Sequence, residues 1–596
     1  MRQYEFYSLL KRLPGSIAEE PSKSKTRKAP KKKKAIQISS VKEALSLKLL
    51  SSNEPVACFV APAGESLFGN SIEAVELCTM PGESYRIPWS EEIKKALAPW
   101  FENAERTKVF FDAKRAMHLL AAEGVGLTGI LFDASLASYL VQTGGEKTLE
   151  GLCEQLQVDE EAPGSRVFVC WQKLAALLED VSKEQGGEKT VATIFRDIEL
   201  PLIPVLFGME RRGILLNKKT FSDMSDAMAE TLDAIAQELY SIAGREFNIN
   251  STKQLAVILF EDLHLPTEGI KRTKSGYSTA SSELQKLSEY PVAKKIEEYR
   301  ELFKLKSTYL DALPLLTDKE SRLHTTYSQT VAATGRLSSL DPNLQNIPIR
   351  GKWGEVVRSA FEASPGYVLV GADYSQMELR IMTHLSGDKA LAEAFRKGED
   401  VHQTTASVVF KVEPEAVTSD MRRKAKVFNF GLMYGMGAFG LSQAAGINQK
   451  EAKEFIDLYF GKFKGVKRYI DRIIRETKQQ GYQETELGRR RLIPEIQSSN
   501  IQVERAGERI AVNMPIQGLE ADIVKLAMLA SDQLAKEYKE GEVYQLLQVH
   551  DEIIFEIKTD LAPVFAQKLK RVMEEVYPLS VPIVVEASIG KNWGEI

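Results

Sequence analysis

Cysteine is scarce in this chain and confined to its first third: Cys58, Cys78, Cys153 and Cys170 are the only four in 596 residues. Their spacing forms no paired metal clip, and so few thiols cannot staple so long a chain. A disulfide framework is excluded, and a reducing, cytoplasmic setting is expected. Long apolar runs are missing as well. None approaches the roughly 20 residues that a bilayer span needs, and the N-terminus lacks the layout of a secretory signal. No membrane partner is expected. Excess charge is absent too: 78 Lys and Arg against 82 Asp and Glu leave a net charge of −4 and a pI near 6.1. The chain as a whole is not a basic nucleic-acid binder, so any such contact must come from local basic patches. With 43% hydrophobic and 27% charged residues over 596 positions, it should fold as several globular domains.

What is present centres on YVLVGADYSQMELR at 367–380. Tyr367 to Ala372 are apolar or small and end at Asp373, the pattern of a short buried strand that delivers a charge to its tip. Glu378 follows where the spacing has turned helical. A carboxylate at a strand end suits a hard cation, which takes oxygen donors; it suits the N-cap of the following helix equally well. The stretch LLQVHDEIIFE at 546–556 weighs on that choice. Two apolar runs flank His550, Asp551 and Glu552, as in a hairpin with acids at its turn. Like charges repel there, and nothing local offsets them; a divalent cation would. Asp373 and Asp551 on neighbouring strands could hold two metal ions about 3.5–4 Å apart, the arrangement used for in-line phosphoryl transfer.

Together these stretches resemble motifs A and C of family A DNA polymerases, and RRKAKVFNFGLMYG at 422–435 resembles motif B. The resemblance implies a multidomain α/β and α+β chain. It would be a right-hand polymerase of palm, fingers and thumb, preceded by an RNase H-like exonuclease-type domain. Residues 1–14 resemble the end of the 5′-nuclease domain of full-length bacterial members, whose nuclease is otherwise expected to be absent. Residues 1–38, Pro-, Ser- and Lys-rich up to Lys34, read as a disordered basic linker. Residues 39–196 alternate strands and helices and match the 3′→5′ exonuclease domain by position. Its metal-binding acids look replaced: Val60 and Pro62 stand at the first motif, Ala116 at the second, and Tyr-x-x-x-Asp has no match at 165–185. Asp112 and Asp133 are the nearby candidate substitutes. The expectation is a folded domain without proofreading.

Residues 197–310 read as thumb and palm-connecting helices, with Ser251 as an N-cap. The small, basic loop at 271–279 resembles the thumb tip and supplies Lys274 as a phosphate contact. Residues 311–387 are the first part of the palm. Its TGRLSS and DPNLQNIP stretches offer Arg336, Gln345 and Asn346 to the minor groove, whose acceptors look alike in every correct base pair. Residues 388–504 are the fingers. There Arg422, Lys426, Phe430 and Tyr434 recur every four residues along one helix face, with Gly431 and Gly435 taken as inside the same helix. Residues 505–596 complete the palm. There Arg509, Asn513 and Gln517 form a polar stripe on a helix read as broken by Pro515 and Gly518.

The resemblance then implies roles. Asp373, Asp551 and the Tyr374 backbone carbonyl hold two Mg²⁺, with Mn²⁺ able to substitute, and Glu552 supports the site. Arg422 and Lys426 meet the triphosphate of a dNTP, and Phe430, Tyr434, Glu378, Gln376 and His402 surround it. Glu378 packs against the sugar and rejects rNTPs, while Phe430 in place of Tyr implies poor acceptance of dideoxynucleotides. His550 touches the primer strand. The expected partners are primer–template DNA and dNTPs, handled by a monomer at the bacterial nucleoid. Three rivals stay open: an RNA polymerase of the same hand, a non-enzymatic DNA-binding scaffold, and an active proofreader.

Overall fold

The computed structural model describes residues 34–64, 71–142, 146–274, 276–348 and 352–596. The expected linker therefore lies almost wholly outside the described residues, as does the whole of 1–14. Among those described, no helix is long and apolar enough to cross a membrane.

The first unit is a six-stranded mixed sheet. Its order is Ile36–Gln37, Glu83–Pro88, Ile72–Met80, Val56–Pro62, Lys108–Phe110 and Ile130–Asp133. The apolar run VACFVAP is buried along most of its length, because the helix Pro163–Gln185 packs on this sheet with Val167 and Leu174 facing in. The chain then leaves through Phe195–Glu199 and Leu200–Arg212. A helical arm follows. Its long helix Lys218–Ala243 buries Phe221, Met224, Met228, Leu232, Ile235 and Leu239, the three-and-four spacing of one face. Ser251 does cap Thr252–Val257, accepting from the Gln254 amide at 3.3 Å.

The centre of the molecule is a four-stranded antiparallel sheet ordered Val543–Val549, Glu552–Lys558, Tyr367–Tyr374 and Val585–Gly590. Both of its faces are covered, which explains the unbroken apolar reading of 367–372. Val368, Val370 and Ala372 join Ile553 and Phe555 in one core under the helices Ile501–Ala535 and Ala562–Glu575. Leu369, Ile554 and Trp593 join the other. Helices Val401–Phe410, Ser419–Met433, Gln449–Lys462 and Lys464–Gln480 extend the first of these cores, with a Phe410, Phe428 and Phe455 ring cluster among them.

Two local readings are corrected here. The helix Ile501–Ala535 runs straight through Pro515 and Gly518, both buried. Proline forfeits one backbone bond there, and burial along the rest of a 35-residue helix outweighs it. A Cβ on Gly518 would stand 2.5 Å from the Thr485 methyl, so that glycine marks a close approach rather than a break. Gly435 lies outside its helix: Ser419–Met433 ends at Tyr434, and Gly435 turns the chain at φ +70°.

A buried ionic network pins the first unit to the rest. Glu199 accepts from Lys525 Nζ at 2.7 Å, from Gln329 Nε2 at 2.7 Å and from Arg489, which also grips Asp522 at 2.6 Å. Burial alone would raise the Glu199 carboxyl, but Lys525 and Arg489 pull it down to about 2.

Candidate active site

Asp373 is the last residue but one of its strand and pairs with Glu552 on one side and Glu586 on the other. His550 and Asp551 make the turn between the neighbouring strands, with His550 at φ +56°. The Tyr374 amide donates to the Asp551 carbonyl at 3.3 Å, so the two acids meet at one end of the sheet. Desolvation first, then the charges of Asp551 and Glu552, push the Asp373 carboxyl up to about 8. Desolvation raises Asp551 too. Water reaches Asp373 at the mouth of the cleft and screens part of this repulsion. Neither acid forms an ion pair among the described residues. The capping alternative for Asp373 fails, because the N-cap position of Met377–Ser386 is Gln376, in a left-handed conformation.

Glu552 is held differently. Its Oε1 would lie 2.8 Å from a Cβ on Gly371, so only glycine leaves room for it there. Burial raises its carboxyl while Arg358 and Trp593 favour the charged form. It thus leans back along the sheet from the Asp373–Asp551 end.

Helix Ser419–Met433 carries Arg422, Lys426 and Phe430 and ends at Tyr434. The Arg422 Nε donates to Asp400 Oδ2 at 2.6 Å. The Lys426 Nζ sits 5.9 Å from the Phe430 ring centre, and Phe430 stacks toward Tyr434 at 6.5 Å and 28°. Buried His402 lies 5.9 Å from Phe430. The Thr405 hydroxyl donates to Asn429 Oδ1 at 2.9 Å, which turns the Asn429 amide toward His402 Nδ1, also at 2.9 Å. Burial pushes His402 down to about 4, so the ring is neutral and carries its hydrogen on Nε2. Tyr434 donates its hydroxyl to Glu378 Oε2. Gln376 is half-buried, and its Oε1 has no hydrogen-bond partner.

Three of the remaining expected residues, Arg336, Gln345 and His550, share one cavity. Arg336 donates to Glu378 Oε1 at 2.8 Å and to Glu520. Gln345 Nε2 donates to Gln548 Oε1 at 3.0 Å, and Gln548 in turn bonds the His550 carbonyl. Arg336, Gln345, Glu520, Gln548 and His550 line one cavity of about 210 Å³. The Asn346 side chain is exposed beside it in sequence. Exposed Arg509 lies against Gly435, and half-buried Asn513 has an unpartnered Oδ1. Gln517 lies beside the Tyr434 hydroxyl and favours its ionised form. Lys274 stands apart, in the turn of the small ribbon Arg272–Thr273 and Gly276–Tyr277.

In the first unit, Val60, Pro62 and Ala116 line a cleft of about 240 Å³ with Cys58, Phe110 and Asp112. Asp133 is committed elsewhere. It accepts from the Ala113 amide at 2.7 Å and the Leu136 amide at 3.0 Å, capping two helices, and burial followed by Asp112 pushes it up to about 8. Asp112 caps as well, accepting from the Arg115 amide at 3.0 Å.

Sequence reading missed Glu520, Gln548, Asp400 and Asn429. The signal for Glu520 was present: it lies one helical turn past Gln517 and so continues the polar stripe Arg509, Asn513 and Gln517.

A family model described as DNA polymerase family A matches residues 218–595, and one for the ribonuclease H-like domain of DNA polymerase I matches 69–174. DNA polymerase I of Pseudomonas aeruginosa is 39% identical over 545 residues, covering 85% of this chain and 58% of that protein. DNA polymerase I of Streptococcus pneumoniae is 42% identical over 510 residues, covering 81% of this chain and 58% of that one. This chain thus spans somewhat under three-fifths of those relatives' length. Among solved structures, the POL domain of Pol1 from M. smegmatis, in complex with DNA primer-template and dNTP, aligns with a TM-score of 0.86. The two are 36% identical, and the alignment covers 94% of this chain and all of that one.

Proposed function

The chain belongs to DNA polymerase family A, and from that premise we propose that it is a template-directed DNA polymerase adding dNTPs to a primer 3′-OH. It would act as a monomer on primer–template DNA in repair and gap-filling synthesis, without proofreading. The observation that supports this reading is the meeting of Asp373 and Asp551 at one end of the central sheet.

Family A DNA polymerases are metal-dependent, and the residues here fit a divalent cation. Two carboxylates converge with no ion pair to either among the described residues, although the Arg336 charge favours ionised Asp551. Among the described residues, no third acid, His or Cys joins them to close a cage. Such a pair, with the Tyr374 carbonyl, would hold Mg²⁺ or Mn²⁺ and leave positions for water and nucleotide phosphates. When bound, the ions would supply charge neutralisation and a lowered pKa at the primer hydroxyl. Arg422 and Lys426 stabilise the transferring phosphates, and Lys426 protonates the departing pyrophosphate. Phe430 and neutral His402 flank the nucleotide. Glu378, held by Tyr434, occupies the space a 2′-OH would need. Arg336, Gln345, Asn346, Arg509, Asn513, Gln517, His550 and Lys274 contact the duplex, and Glu552 supports the site from behind.

The loss of proofreading is supported by Val60, Pro62 and Ala116 where metal-binding acids would stand, and by the capping duties of Asp112 and Asp133. One assay addresses all of this: a labelled, 3′-mismatched primer with Mg²⁺, given dNTPs, rNTPs or neither. Extension with dNTPs alone and an intact primer without nucleotide are expected. Shortening of the primer would refute the absence of proofreading, and equal use of rNTPs would refute the DNA assignment.

A further inference from the structure

We infer that Glu520 is a positioning residue that sets Arg336 for its contact with the primer–template duplex; this rests on the polymerase reading above. An acid in a cleft that takes a polyanion repels its ligand, so its presence there needs a reason. Glu520 is only 5% exposed, one helical turn past Gln517. A carboxylate in that position is stable only if paired. Its partner is Arg336, whose side chain remains 41% exposed. The two hydrogen bonds of Arg336 among the described residues both leave from Nη2, one to Glu520 and one to Glu378 at 2.8 Å. Nε and Nη1 therefore stay available on the same planar fork.

The consequence is geometric. Arg336 rides on a loop, and a guanidinium on a three-carbon stem loses rotamer freedom when it docks. Two carboxylates gripping one nitrogen remove that freedom beforehand and aim the other two donors. Arg336 lines the cavity shared with Gln345, Gln548 and His550. The clamp also links three elements. Glu520 is on Ile501–Ala535, Glu378 on Met377–Ser386, and Tyr434, which donates to Glu378, closes Ser419–Met433. Glu520 thus acts through Arg336 on the terminal base pair and touches neither nucleotide nor metal.

A double-mutant cycle tests this with wild type, Glu520→Ala, Arg336→Ala and the double variant. Each is assayed for extension of matched and mismatched primers and for binding of both duplexes by fluorescence anisotropy. Glu520→Ala should lower kcat/KM on the matched primer about tenfold, the scale of one hydrogen bond to a charged group. It should also narrow the matched-to-mismatched ratio. In the Arg336→Ala background the same change should cost less than about twofold, because a residue that acts only through Arg336 has nothing left to act on. Glu520→Gln, which keeps the shape and an acceptor, should fall between and guards against misfolding. Equal losses in both backgrounds, or faster extension by Glu520→Ala, would overturn the inference. A wild type that extends no primer sinks the polymerase reading instead; the Glu520–Arg336 coupling is then decided by the anisotropy cycle.

Discussion

Changing Asp551 to Asn should cripple catalysis and at the same time make the metal-free protein more resistant to local unfolding. Asp373 and Asp551 meet at one sheet end, and each raises the energy of the other's charge. Two unit charges about 4 Å apart repel by roughly 1 kcal/mol in water and roughly 4 kcal/mol near a protein surface. Water reaches Asp373, so a value toward the lower end, about 1–2 kcal/mol, applies. The pH dependence follows from the direction of the shift. Asp373 moves from an ordinary 3.8 to about 8 in the folded chain. The folded state thus binds its proton more tightly than the unfolded state, and stability is lost as pH rises from about 4 through 8. At pH 8 with EDTA, amides of the Tyr367–Tyr374 and Glu552–Lys558 strands should exchange about 5- to 30-fold more slowly in the Asn variant, once intrinsic rates are divided out. At pH 5, where the pair shares a proton, the difference should shrink toward nothing. Millimolar Mg²⁺ should protect wild type by mass action and the variant far less. An Asn variant that exchanges faster than wild type at pH 8 without metal would refute the repulsion. Equal protection of both by Mg²⁺ would refute the shared site.

Three further outcomes are expected. Glu378→Ala should raise rNTP incorporation relative to dNTP about 10- to 200-fold, the scale of a steric contact worth 1–3 kcal/mol, measured by single-nucleotide insertion; an unchanged ratio would remove Glu378 from the sugar pocket. Asp133→Ala should destabilise the first unit by about 1–3 kcal/mol in urea unfolding, because two helix-start amides lose their acceptor, while primer extension persists. Glu199→Ala should cost about 3–5 kcal/mol, since Arg489 and Lys525 would share Asp522 alone in a dry interior; a near-neutral effect would show that water enters that network.

How much was legible in the sequence follows from where the information lies. The strand at 367–374 and the hairpin at 543–558 could be read directly, because apolar runs ending in acids have few other uses. That the two lie side by side is a fact of sheet pairing; unpaired acids in both stretches suggested it, and the resemblance strengthened it. Pro515 misled because a local rule for helix interruption competes with burial along 35 residues, and burial won. Gly435 misled the other way: four-residue spacing carried Tyr434 to the helix end, and the next glycine turned left. Asp112 and Asp133 looked like metal ligands by residue type. Only the backbone amides in front of them show that they are caps. Glu520 was passed over because its meaning depends on Arg336, which reaches it from a loop far away in the chain.

The central claim is that Asp373 and Asp551 jointly form the cation site for nucleotide addition. Primer extension by Asp373→Ala, with primer–template affinity measured on the same preparation, tests it most directly. The account predicts wild-type DNA affinity with no detectable extension at any Mg²⁺ concentration. Extension at the wild-type rate by that variant would contradict it.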